Sequence, residues 1–508
     1  MRQNYKPQKH NTFGYPKLLL QLEIEYTDGS KKIVVSDKSW KLNVNGPIRT
    51  NNEYDGEEYD ATKEFPGWNN TGFNDSKWIQ PELVAAPTGK LIAQMSEPMK
   101  IMQSIRPVSI TPLNNGKYIL DMGQNFAGWL QIKVKGKKNE KVKLRFAESL
   151  QANGELFVAN LRDAKVTDIY TLNGTGQETW EPSFVYHGFR YVEVTGFPGT
   201  PTIDDFEGKL VYDALETTGS FITSNSVING IYKNAWWGIA SNYKGMPVDC
   251  PQRNERQPWL GDRVIGALGE SYVFGNANLY AKWMDDIEQS QTEAGAIPDV
   301  APAFWNYYSD DVTWPAAYIT ISNHLYNQFG DITPIQKHYA SMKKWMRYMK
   351  SKYMTGYIVT RDKYGDWCVP PEGPLLIHAK DSSRLTDGQL IATAYYHKML
   401  AYLQRFAGLL NKKEDANVFG LLMDSIRIAF NKKFYDVSKK QYSNNTATAN
   451  LLPLYFGLVP DSLKQTIFEK IRQKILVENN GHTSTGLIGS QWLMRTLSDY
   501  GSTDVAYT

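Results

Sequence analysis

Cysteine and long apolar runs are scarce in this sequence. Its 508 residues include two cysteines, Cys250 and Cys368, which are too few for a disulfide framework and lack metal-ligand spacing. Both lie in candidate site loops, so a single bridge between them stays open. No stretch approaches the roughly 18 apolar residues that a membrane span needs, and residues 1–6 lack the apolar core of a signal peptide. We therefore expect neither a disulfide-stapled domain nor a membrane span.

Charge of one sign is also scarce, because the net charge is +3 and no run is rich in lysine and arginine. A field this weak gives no reason to expect nucleic acid or an acidic membrane as a partner. No two histidines have metal-ligand spacing, so we expect no metal and no cofactor and interpret these residues as core or surface. This interpretation covers His10, His187, His324, His338, His378 and His397.

Aromatic residues, by contrast, are abundant, with 14 tryptophans and 31 tyrosines. Such residues either fill large cores or present flat faces that stack on sugar rings. Composition alone leaves both alternatives open.

The first 214 residues have the alternating pattern of strands. A half-buried strand is predicted from the alternation of Leu20, Leu22, Ile24 and Tyr26. A turn at 27–30 and a return strand at 33–35 complete a hairpin. From about residue 105 to 210, short strands separated by Gly and Asn turns, one of them at 121–125, predict a β-sandwich.

Near Gly219 the apolar period changes from 2 to 3.6, which predicts helices. The first is capped by Ser224 or Ser226. Val227, Ile231, Ala235 and Ile239 share one face of this helix. Further helices are predicted at 263–276, 279–292, 316–329, 334–351, 388–410, 415–433, 461–477 and 486–499. Short and long loops alternate between them, which suits stacked helix pairs with the long loops 293–314 and 352–387 on one face, where we place a site.

The length predicts about two to four domains. We expect an N-terminal β-sandwich at 1–100, a second β-sandwich at 101–214 and a helical domain at 215–508. No closing segment follows the last helix near Gly501, so we also expect a chain that is truncated at both ends.

The segment 249–262 concentrates ionisable groups between two predicted helices. Its functional residue types are three carboxylates, two arginines and a tryptophan: Asp249, Glu255, Asp262, Arg253, Arg256 and Trp259. Pro251 and Pro258 exclude a regular helix and predict a shaped loop. Such a loop is either a surface salt-bridge network or a site of chemistry.

Glycosidic bond cleavage needs two carboxyl groups, one of which is protonated and acts as general acid. Glu255 lies between Asp249 and Asp262, whose charges favour its protonated form, whereas Arg253 and Arg256 oppose this. The sequence leaves that balance open.

Several motifs, in order along nearly the whole chain, resemble one enzyme family. Asp-Cys-Pro-Gln-Arg-Asn-Glu-Arg at 249–256, followed by Trp259 and Gly261-Asp262, resembles the signature of bacterial α-L-rhamnosidases of glycoside hydrolase family 78. Four further segments resemble the accessory β domain of that family, namely residues 121–129, 145–148, 167–168 and 186–191. Later parts of its catalytic domain are resembled by residues 365–367 and 481–486.

The resemblance implies β-sandwich domains followed by an α/α six-barrel, here incomplete, and hydrolysis of terminal α-L-rhamnose with inversion. It assigns the general acid to Glu255. It assigns sugar contacts to Asp249, Arg253, Trp259 and Asp262, and Trp367 is expected to give the sugar a further apolar face. Trp314 matches a family tryptophan and Trp305 is a further pocket candidate, although each tryptophan could instead belong to the core.

Three positions depart from the family pattern, and they put the aglycone or linkage preference in doubt more than the reaction. They are Asn254 in place of aspartate, Gln257-Pro258 in place of Leu-Gly, and Ala316 in place of a frequent aspartate. The family's general base is a glutamate that we expect beyond residue 508. None of the loop carboxylates matches it, namely Glu293, Asp299, Asp310, Asp311 and Asp366. We therefore expect little activity and poor solubility from these 508 residues alone.

Two other functions stay open, an inverting α/α-barrel hydrolase of another sugar and a glycan-binding protein that has lost catalysis. The expected partner is a rhamnose-containing oligosaccharide, polysaccharide or glycoside. The resemblance favours a periplasmic or secreted location, and the oligomeric state is open.

Overall fold

The computed structural model describes residues 17–507, with the backbone alone at Asn115. His10 and residues 1–6, on which predictions were made above, lie outside the described residues. The chain forms two compact units. The first, β-rich unit comprises the described residues up to Ala214, Thr223–Lys244 and Cys250–Arg256, and the second, helical unit comprises Leu215–Ile222, Gly245–Asp249 and the described residues from Gln257 onward. The charged loop is therefore divided, with its middle in the β-rich unit and its two flanks in the helical unit.

The strands of the β-rich unit are β1 (Gln21–Glu25), β2 (Lys31–Val35), β3 (Ile48–Asn52), β4 (Gly56–Asp60), β5 (Met99–Ile105), β6 (Ser109–Pro112), β7 (Lys117–Lys135), β8 (Lys141–Ala147), β9 (Ser149–Leu150), β10 (Leu156–Phe157), β11 (Thr167–Thr171), β12 (Gln177–Trp180), β13 (His187–Thr195) and β14 (Phe206–Asp213). The main sheet has the order β3-β4-β11-β8-β13-β7-β14-β5, and β6 and β12 also pair with β7. On β8, the alternate residues Val142, Leu144 and Phe146 are all buried, as a strand with one face in the core requires.

The predicted turn at 121–125 is wrong, because β7 runs through it without a break. The first half of β7 pairs with β6 and β13, and its second half pairs with β14 and β12. Gly123 adopts a φ of 73° and donates its N–H to the Asp121 carboxylate at 2.7 Å. These turn-like residues therefore form an irregularity inside a strand.

The hairpin of β1 and β2 is confirmed as an antiparallel pair, but the prediction that it is half-buried is wrong in part. Leu22 and Tyr26 are exposed. The pair forms a two-stranded sheet of its own, and alternation along a strand does not say whether a further layer covers its apolar face.

The first helix, α1 (Ser226–Ser241), is capped by the side chain of Asn225 rather than by a serine. The predicted helix is confirmed, and on its predicted apolar face Val227 and Ile231 are exposed. The helix instead turns Trp236 toward the sheet, where its ring meets Tyr212 of β14 edge-on with the ring centroids 6.2 Å apart. The face of α1 that packs on the sheet is therefore the one with the large aromatic side chain, not the one with the aliphatic residues.

The helices of the helical unit are α2 (Leu260–Glu270), α3 (Ala277–Gln289), α4 (Ala317–Phe329), α5 (Thr333–Tyr353), α6 (Gly388–Leu409), α7 (Lys413–Phe434), α8 (Ala447–Tyr455), α9 (Lys464–Gln473), α10 (Leu487–Asp499) and α11 (Thr503–Tyr507). Two short hairpins join them, β15 (Met354–Thr355) with β16 (Ile358–Val359) and β17 (Tyr435–Asp436) with β18 (Gln441–Tyr442). All eight further predicted helices are confirmed, with shifted ends. The predicted fold class, β-rich domains followed by a helical domain, is confirmed as well.

Sequence periodicity missed α8, because Pro453 lies inside it and its first turn is short of large apolar residues. The prediction that the last helix ends near Gly501 is wrong, since the short helix α11 follows it. The long connections between α3 and α4 and between α5 and α6 carry Trp305, Trp314 and Trp367. No helix of the described chain is long and apolar enough to cross a membrane.

Candidate active site

The charged loop is irregular, as its prolines predict, and its two ends are fixed by backbone geometry. Asp249 donates its N–H to the Gln257 carbonyl oxygen at 2.8 Å, which closes the base of the loop within the helical unit. Cys250 and Arg256 both adopt left-handed backbone, with φ values of 55° and 50°. That conformation is uncommon for residues other than glycine and concentrates at functional sites.

Within the β-rich unit, Glu255 is buried and two arginines contact one of its carboxylate oxygens. Nη1 of Arg162 lies 2.7 Å from Oε2 of Glu255, and Nε of Arg253 lies 3.1 Å from the same atom. The Glu255 N–H donates to the Arg253 carbonyl oxygen at 2.8 Å, which makes a tight turn. The Tyr54 hydroxyl donates to the Glu255 carbonyl oxygen at 3.2 Å. Both the backbone and the side chain of Glu255 are thus anchored.

Arg253 and Arg256 could be paired with Glu255 from the sequence, but Arg162 could not, because it precedes Glu255 by 93 residues. Arg256 is directed to other groups in the same unit. Its Nη1 donates to the carbonyl oxygens of Glu53 and of Tyr186, the latter at 2.7 Å. Its guanidinium carbon lies 4.6 Å from the centroid of the Tyr186 ring.

The motif at 186–191 lies against the same loop. A Cβ atom at Gly188 would lie 3.0 Å from the Cβ atom of Gln252, so this glycine allows close approach of the loop. Nε2 of the neighbouring His187 lies 3.1 Å from both carboxylate oxygens of the buried Asp168. His187 is therefore a core residue, as interpreted from the sequence.

The possible disulfide is not formed, since no disulfide joins Cys250 and Cys368. The Cys250 sulfur instead accepts a hydrogen bond from Nη2 of Arg253 at 2.7 Å. Burial, followed by the charge of Asp262, raises the pKa of the Cys368 thiol. Asp262 therefore acts electrostatically on the residue that follows Trp367.

In the helical unit, three of the four predicted tryptophans surround one tyrosine that sequence reasoning missed. The Tyr364 ring centroid lies 4.2 Å from that of Trp314, 6.0 Å from that of Trp367 and 6.4 Å from that of Trp259. Trp305 joins through Trp259, at 6.1 Å between centroids. The only signal for Tyr364 was its position directly before the motif at 365–367.

Exposure separates these four tryptophans. Trp305 is 1% exposed and Trp314 is 2% exposed, whereas Trp367 is 40% exposed. Trp259 is partly buried and stacks on Tyr307, with the ring centroids 5.9 Å apart and an interplanar angle of 29°. Trp259 and Trp367 are therefore accessible to a ligand, whereas Trp305 and Trp314 are buried, Trp305 against Trp259 and Trp314 against Tyr364.

Gly261 is required where α2 meets this floor. A Cβ atom at this position would lie 2.2 Å from Cδ2 of Trp314, far inside van der Waals contact. Its neighbour Asp262 lies in the first turn of α2, where the helix dipole favours a negative charge. In the Gly-Asp pair of the motif, Gly261 thus lets α2 pack closely on Trp314, and Asp262 places a negative charge at the N-terminus of α2.

The loop carboxylates of the helical unit hydrogen-bond with neighbouring groups. Asp299 accepts from the Tyr364 hydroxyl at 2.6 Å and from the Ser309 hydroxyl at 2.8 Å. Burial, with a further push from Asp311, raises the pKa of Asp299 to about 6 against the hydrogen bonds that lower it. Burial, then the charge of Asp311, likewise raises the pKa of Asp362, which sequence reasoning did not single out.

Asp366 binds Gly486, the last residue of the motif at 481–486, and two residues of α8 and α10. Its carboxylate accepts hydrogen bonds from the Thr448 hydroxyl at 2.5 Å and from the N–H groups of Gly486 and Gly489, each at 2.9 Å. Burial raises its pKa, and these hydrogen bonds oppose the rise. Asp311 accepts from the N–H groups of Thr313 and Trp314 at 2.8 and 3.0 Å, so it stabilises the turn that precedes α4.

Residues 17–507 contain no group of three or more His, Cys, Asp and Glu side chains that could hold a metal ion. His324 and His397 are buried, and burial lowers the pKa of each to about 4. His338 lies 3.0 Å from Glu288 and 3.1 Å from Asp285.

Three family models match the chain. The bacterial alpha-L-rhamnosidase 6 hairpin glycosidase domain matches residues 216–508, the bacterial alpha-L-rhamnosidase concanavalin-like domain matches residues 111–212, and the alpha-L-rhamnosidase N-terminal domain matches residues 1–103.

Curated relatives agree with these models. An alpha-L-rhamnosidase of Streptomyces avermitilis is 36% identical over 493 residues, which cover 97% of this chain and 46% of the relative. An alpha-L-rhamnosidase of Formosa agariphila is 33% identical over 500 residues, which cover 97% of this chain and 53% of the relative. The chain thus spans about half the length of these relatives.

Solved structures give the same result. The alpha-L-rhamnosidase of Dictyoglumus thermophilum matches with a TM-score of 0.93 and 39% identity over 98% of this chain and 55% of its own. That of Streptomyces avermitilis, solved in complex with L-rhamnose, matches with a TM-score of 0.89 and 35% identity over 96% of this chain and 46% of its own. The resemblance found in the sequence is confirmed: the chain belongs to the bacterial alpha-L-rhamnosidase family of the 6 hairpin glycosidase domain.

Proposed function

We propose that the protein is an inverting glycoside hydrolase that releases terminal α-L-rhamnose, with Glu255 as its general acid. One observation carries the proposal. The signature at 249–262 lies within the matched family domain, and its glutamate is buried, with Arg162 and Arg253 both in contact with its carboxylate.

The chemistry of the acid step follows from that anchoring. Glu255 gives its proton to the leaving glycosidic oxygen, so negative charge grows on its carboxyl group as the bond breaks. Two guanidinium groups at 2.7 and 3.1 Å stabilise this charge where it develops. Preorganised charges of this kind favour a transition state because they need not reorient during the reaction.

The sugar contacts are proposed from the family pattern. Asp249, Arg253 and Asp262 would hydrogen-bond the rhamnose hydroxyls, and Trp259 and Trp367 would contact the ring and its methyl group. The burial of Trp305 and Trp314 favours a packing role for both, so their contact with sugar stays a prediction. The three-domain division at 1–100, 101–214 and 215–508 stays a prediction as well.

An inverting hydrolase also needs a carboxylate that activates water. Asp299, Asp311 and Asp366 each accept at least two hydrogen bonds from neighbouring groups, and Asp310 is paired with Lys352. We assign the role of base to none of these residues.

The test uses the complete gene product and a panel of aryl glycosides that differ in the sugar. Cleavage of the α-L-rhamnoside, with the β anomer of rhamnose as the first product in proton NMR spectra, is the expected result. Cleavage of a different glycoside but not of the rhamnoside would identify an α/α-barrel hydrolase of another sugar. Rhamnose binding without cleavage of any glycoside would identify a glycan-binding protein.

Glu255→Gln tests the acid itself. The variant should lose about 10²- to 10⁴-fold in kcat on rhamnosides with poor leaving groups, because these need protonation, while rhamnose binding persists. Glu293→Gln is the matched control, since Glu293 is an exposed loop carboxylate of the same protein. Equal rates for the wild type and Glu255→Gln would show that the acid lies elsewhere.

A further inference from the structure

We propose that residues 368–380, here called the aglycone loop, bind the leaving group of the substrate and favour one that is apolar and aromatic. Leu375 and Ile377 are the specificity-determining residues of this loop. The inference rests on the proposed function, in which Trp367 contacts the rhamnose ring, and it deepens that function by naming the class of aglycone.

The base of the aglycone loop lies beside Trp367. The Ala379 N–H donates to the Val369 carbonyl oxygen at 2.8 Å, which closes the loop. The His378 ring packs on the Trp367 ring, with the centroids 5.5 Å apart and an interplanar angle of 36°. Residues 370–377 therefore form the tip of a loop that adjoins the aromatic cluster.

Exposure indicates which part of the substrate this loop can contact. A pocket encloses most of the group that it binds, so the leaving group of a terminal sugar lies toward the opening of the pocket. Trp367 is 40% exposed, whereas Trp305 and Trp314 are 1% and 2% exposed. Trp367 is thus on the solvent-facing side of the cluster, and a loop beside it contacts the aglycone rather than the enclosed sugar.

The tip of the aglycone loop is apolar. Leu375 is 97% exposed, Leu376 is 38% exposed and Ile377 is 84% exposed. Single exposed apolar side chains are ordinary, but three in succession beside an accessible tryptophan indicate a binding surface. No charged residue occurs from Gly373 to Ile377, so the tip favours a neutral, apolar group over a strongly hydrated one.

Hydrogen bonds and prolines hold the aglycone loop in shape. The Glu372 carboxylate accepts from the N–H groups of Lys380 at 2.9 Å and of Asp381 at 2.5 Å, which directs its charge to the base of the loop. Three prolines also restrict the backbone, namely Pro370, Pro371 and Pro374. A loop that is already ordered loses less entropy when it binds a ligand, so its exposed side chains can contribute effectively to affinity.

The alternative occupant of the tip is a second copy of the chain. A stable protein interface buries roughly 800 Å² on each partner and involves about 20–30 residues on each side. The apolar tip offers only three side chains, those of Leu375, Leu376 and Ile377. An aromatic aglycone needs a contact of only this size, so the tip is better matched to a small ligand.

The test measures kcat/KM of the complete gene product on 2-naphthyl α-L-rhamnoside and on a rhamnosyl-glucose disaccharide, whose leaving group is rich in hydroxyls. In Leu375→Ser/Ile377→Ser, the ratio of the naphthyl value to the disaccharide value should fall about tenfold, mainly through KM, because two aliphatic side chains no longer shield the ring from water. The intrinsic reactivity of each leaving group is the same in both proteins and cancels from this comparison. Because both side chains are exposed, the variant should keep the wild-type Tm.

Glu372→Ala tests whether the shape of the loop matters. Glu372 is a positioning residue, because its carboxylate orders the loop without reaching the tip. Its loss should lower the same substrate ratio about threefold, since a less ordered loop loses more entropy on binding. A merely structural role would lower the Tm and leave the ratio unchanged.

Leu421→Ser/Ile428→Ser is the matched control. These side chains lie on α7 and are 70% and 69% exposed, so the same two residue types are replaced at exposed positions of the same unit. The substrate ratio of this variant should equal that of the wild type.

The outcomes distinguish the aglycone loop from the proposed function. Continued cleavage of rhamnosides with an unchanged ratio in Leu375→Ser/Ile377→Ser would overturn the role of the loop alone. A larger loss on the disaccharide than on the naphthyl substrate would overturn the apolar preference. A change from dimer to monomer in light scattering, with the ratio unchanged, would show that a second copy covers the tip. Failure to cleave any rhamnoside would overturn the proposed function and this inference with it.

Discussion

Replacement of Asp299 by asparagine tests how the raised pKa of this buried carboxyl group, which is hydrogen-bonded to Tyr364, affects the stability of the protein. Asp299 accepts hydrogen bonds from Tyr364 and Ser309, and burial raises its pKa from 3.8 to about 6. The folded protein therefore keeps a proton at mildly acidic pH that the unfolded chain has already released.

The sign and size of the effect follow from proton linkage. Since the folded state binds more protons than the unfolded state between about pH 4 and 6, the stabilising contribution is full below about pH 4 and is lost as the pH rises through about 6. One pKa unit corresponds to about 1.36 kcal/mol, so this rise in pH removes about 3 kcal/mol of stability. Asparagine does not titrate, and the variant lacks this loss.

The assay is urea unfolding of the wild type and of Asp299→Asn at several pH values from 4 to 7. Tryptophan fluorescence monitors the unfolding, and the free energy of unfolding is compared between the two proteins. Relative to the wild type, the variant should gain about 3 kcal/mol across this range. Asp310→Asn is the control, because Lys352, Tyr348 and Tyr353 lower the pKa of Asp310 against its burial, and its contribution is lost only as the pH falls below about 4. Parallel stability curves for the wild type and Asp299→Asn would refute the reasoning.

Two further pairs of variants test the packing of the same unit. Gly261→Ala places a methyl group 2.2 Å from the Trp314 ring and should cost about 1–3 kcal/mol of stability, seen as a lower Tm. Gly269→Ala, in the same helix with no atom within 4 Å of the added Cβ, should leave Tm equal or higher. Trp367→Ala should weaken rhamnose binding about tenfold in calorimetry with little change in Tm, because this ring is 40% exposed. Trp305→Ala, at a position that is 1% exposed, should cost about 3–5 kcal/mol of stability.

Much of the fold could be predicted because helix periodicity and strand alternation are local signals. The predictions that differ from the structure concern places where contacts between elements distant in sequence determine the local structure. Gly123 resembles a turn residue, but pairing on both edges keeps β7 continuous. On α1, the apolar stripe at Val227 and Ile231 is real in the sequence, yet the Trp236 side packs against the sheet.

The candidate site shows the same division between local and distant information. Proline placement predicted the shaped loop, and the motif drew attention to Glu255. Arg162 could not be found this way, because it is 93 residues distant in sequence and no spacing rule links a turn between strands to a loop between helices. Tyr364 was equally hidden, since a tyrosine has no distinguishing pattern until the rings around it are known.

Residues 250–256 of the charged loop belong to the β-rich unit, and the rest of the loop belongs to the helical unit. This gives a physical reason why the same sequence contains both the signature at 249–262 and the motif at 186–191. Residues 250–256 pack with the β-rich unit, where Tyr186 accepts a hydrogen bond from Arg256 and Gly188 leaves room for Gln252. If Glu255 is the acid, then the backbone that carries it is fixed by these contacts and its carboxylate is fixed by Arg162. The contacts that fix the Glu255 backbone and carboxylate therefore lie within the β-rich unit, although the loop that carries Glu255 begins and ends in the helical unit.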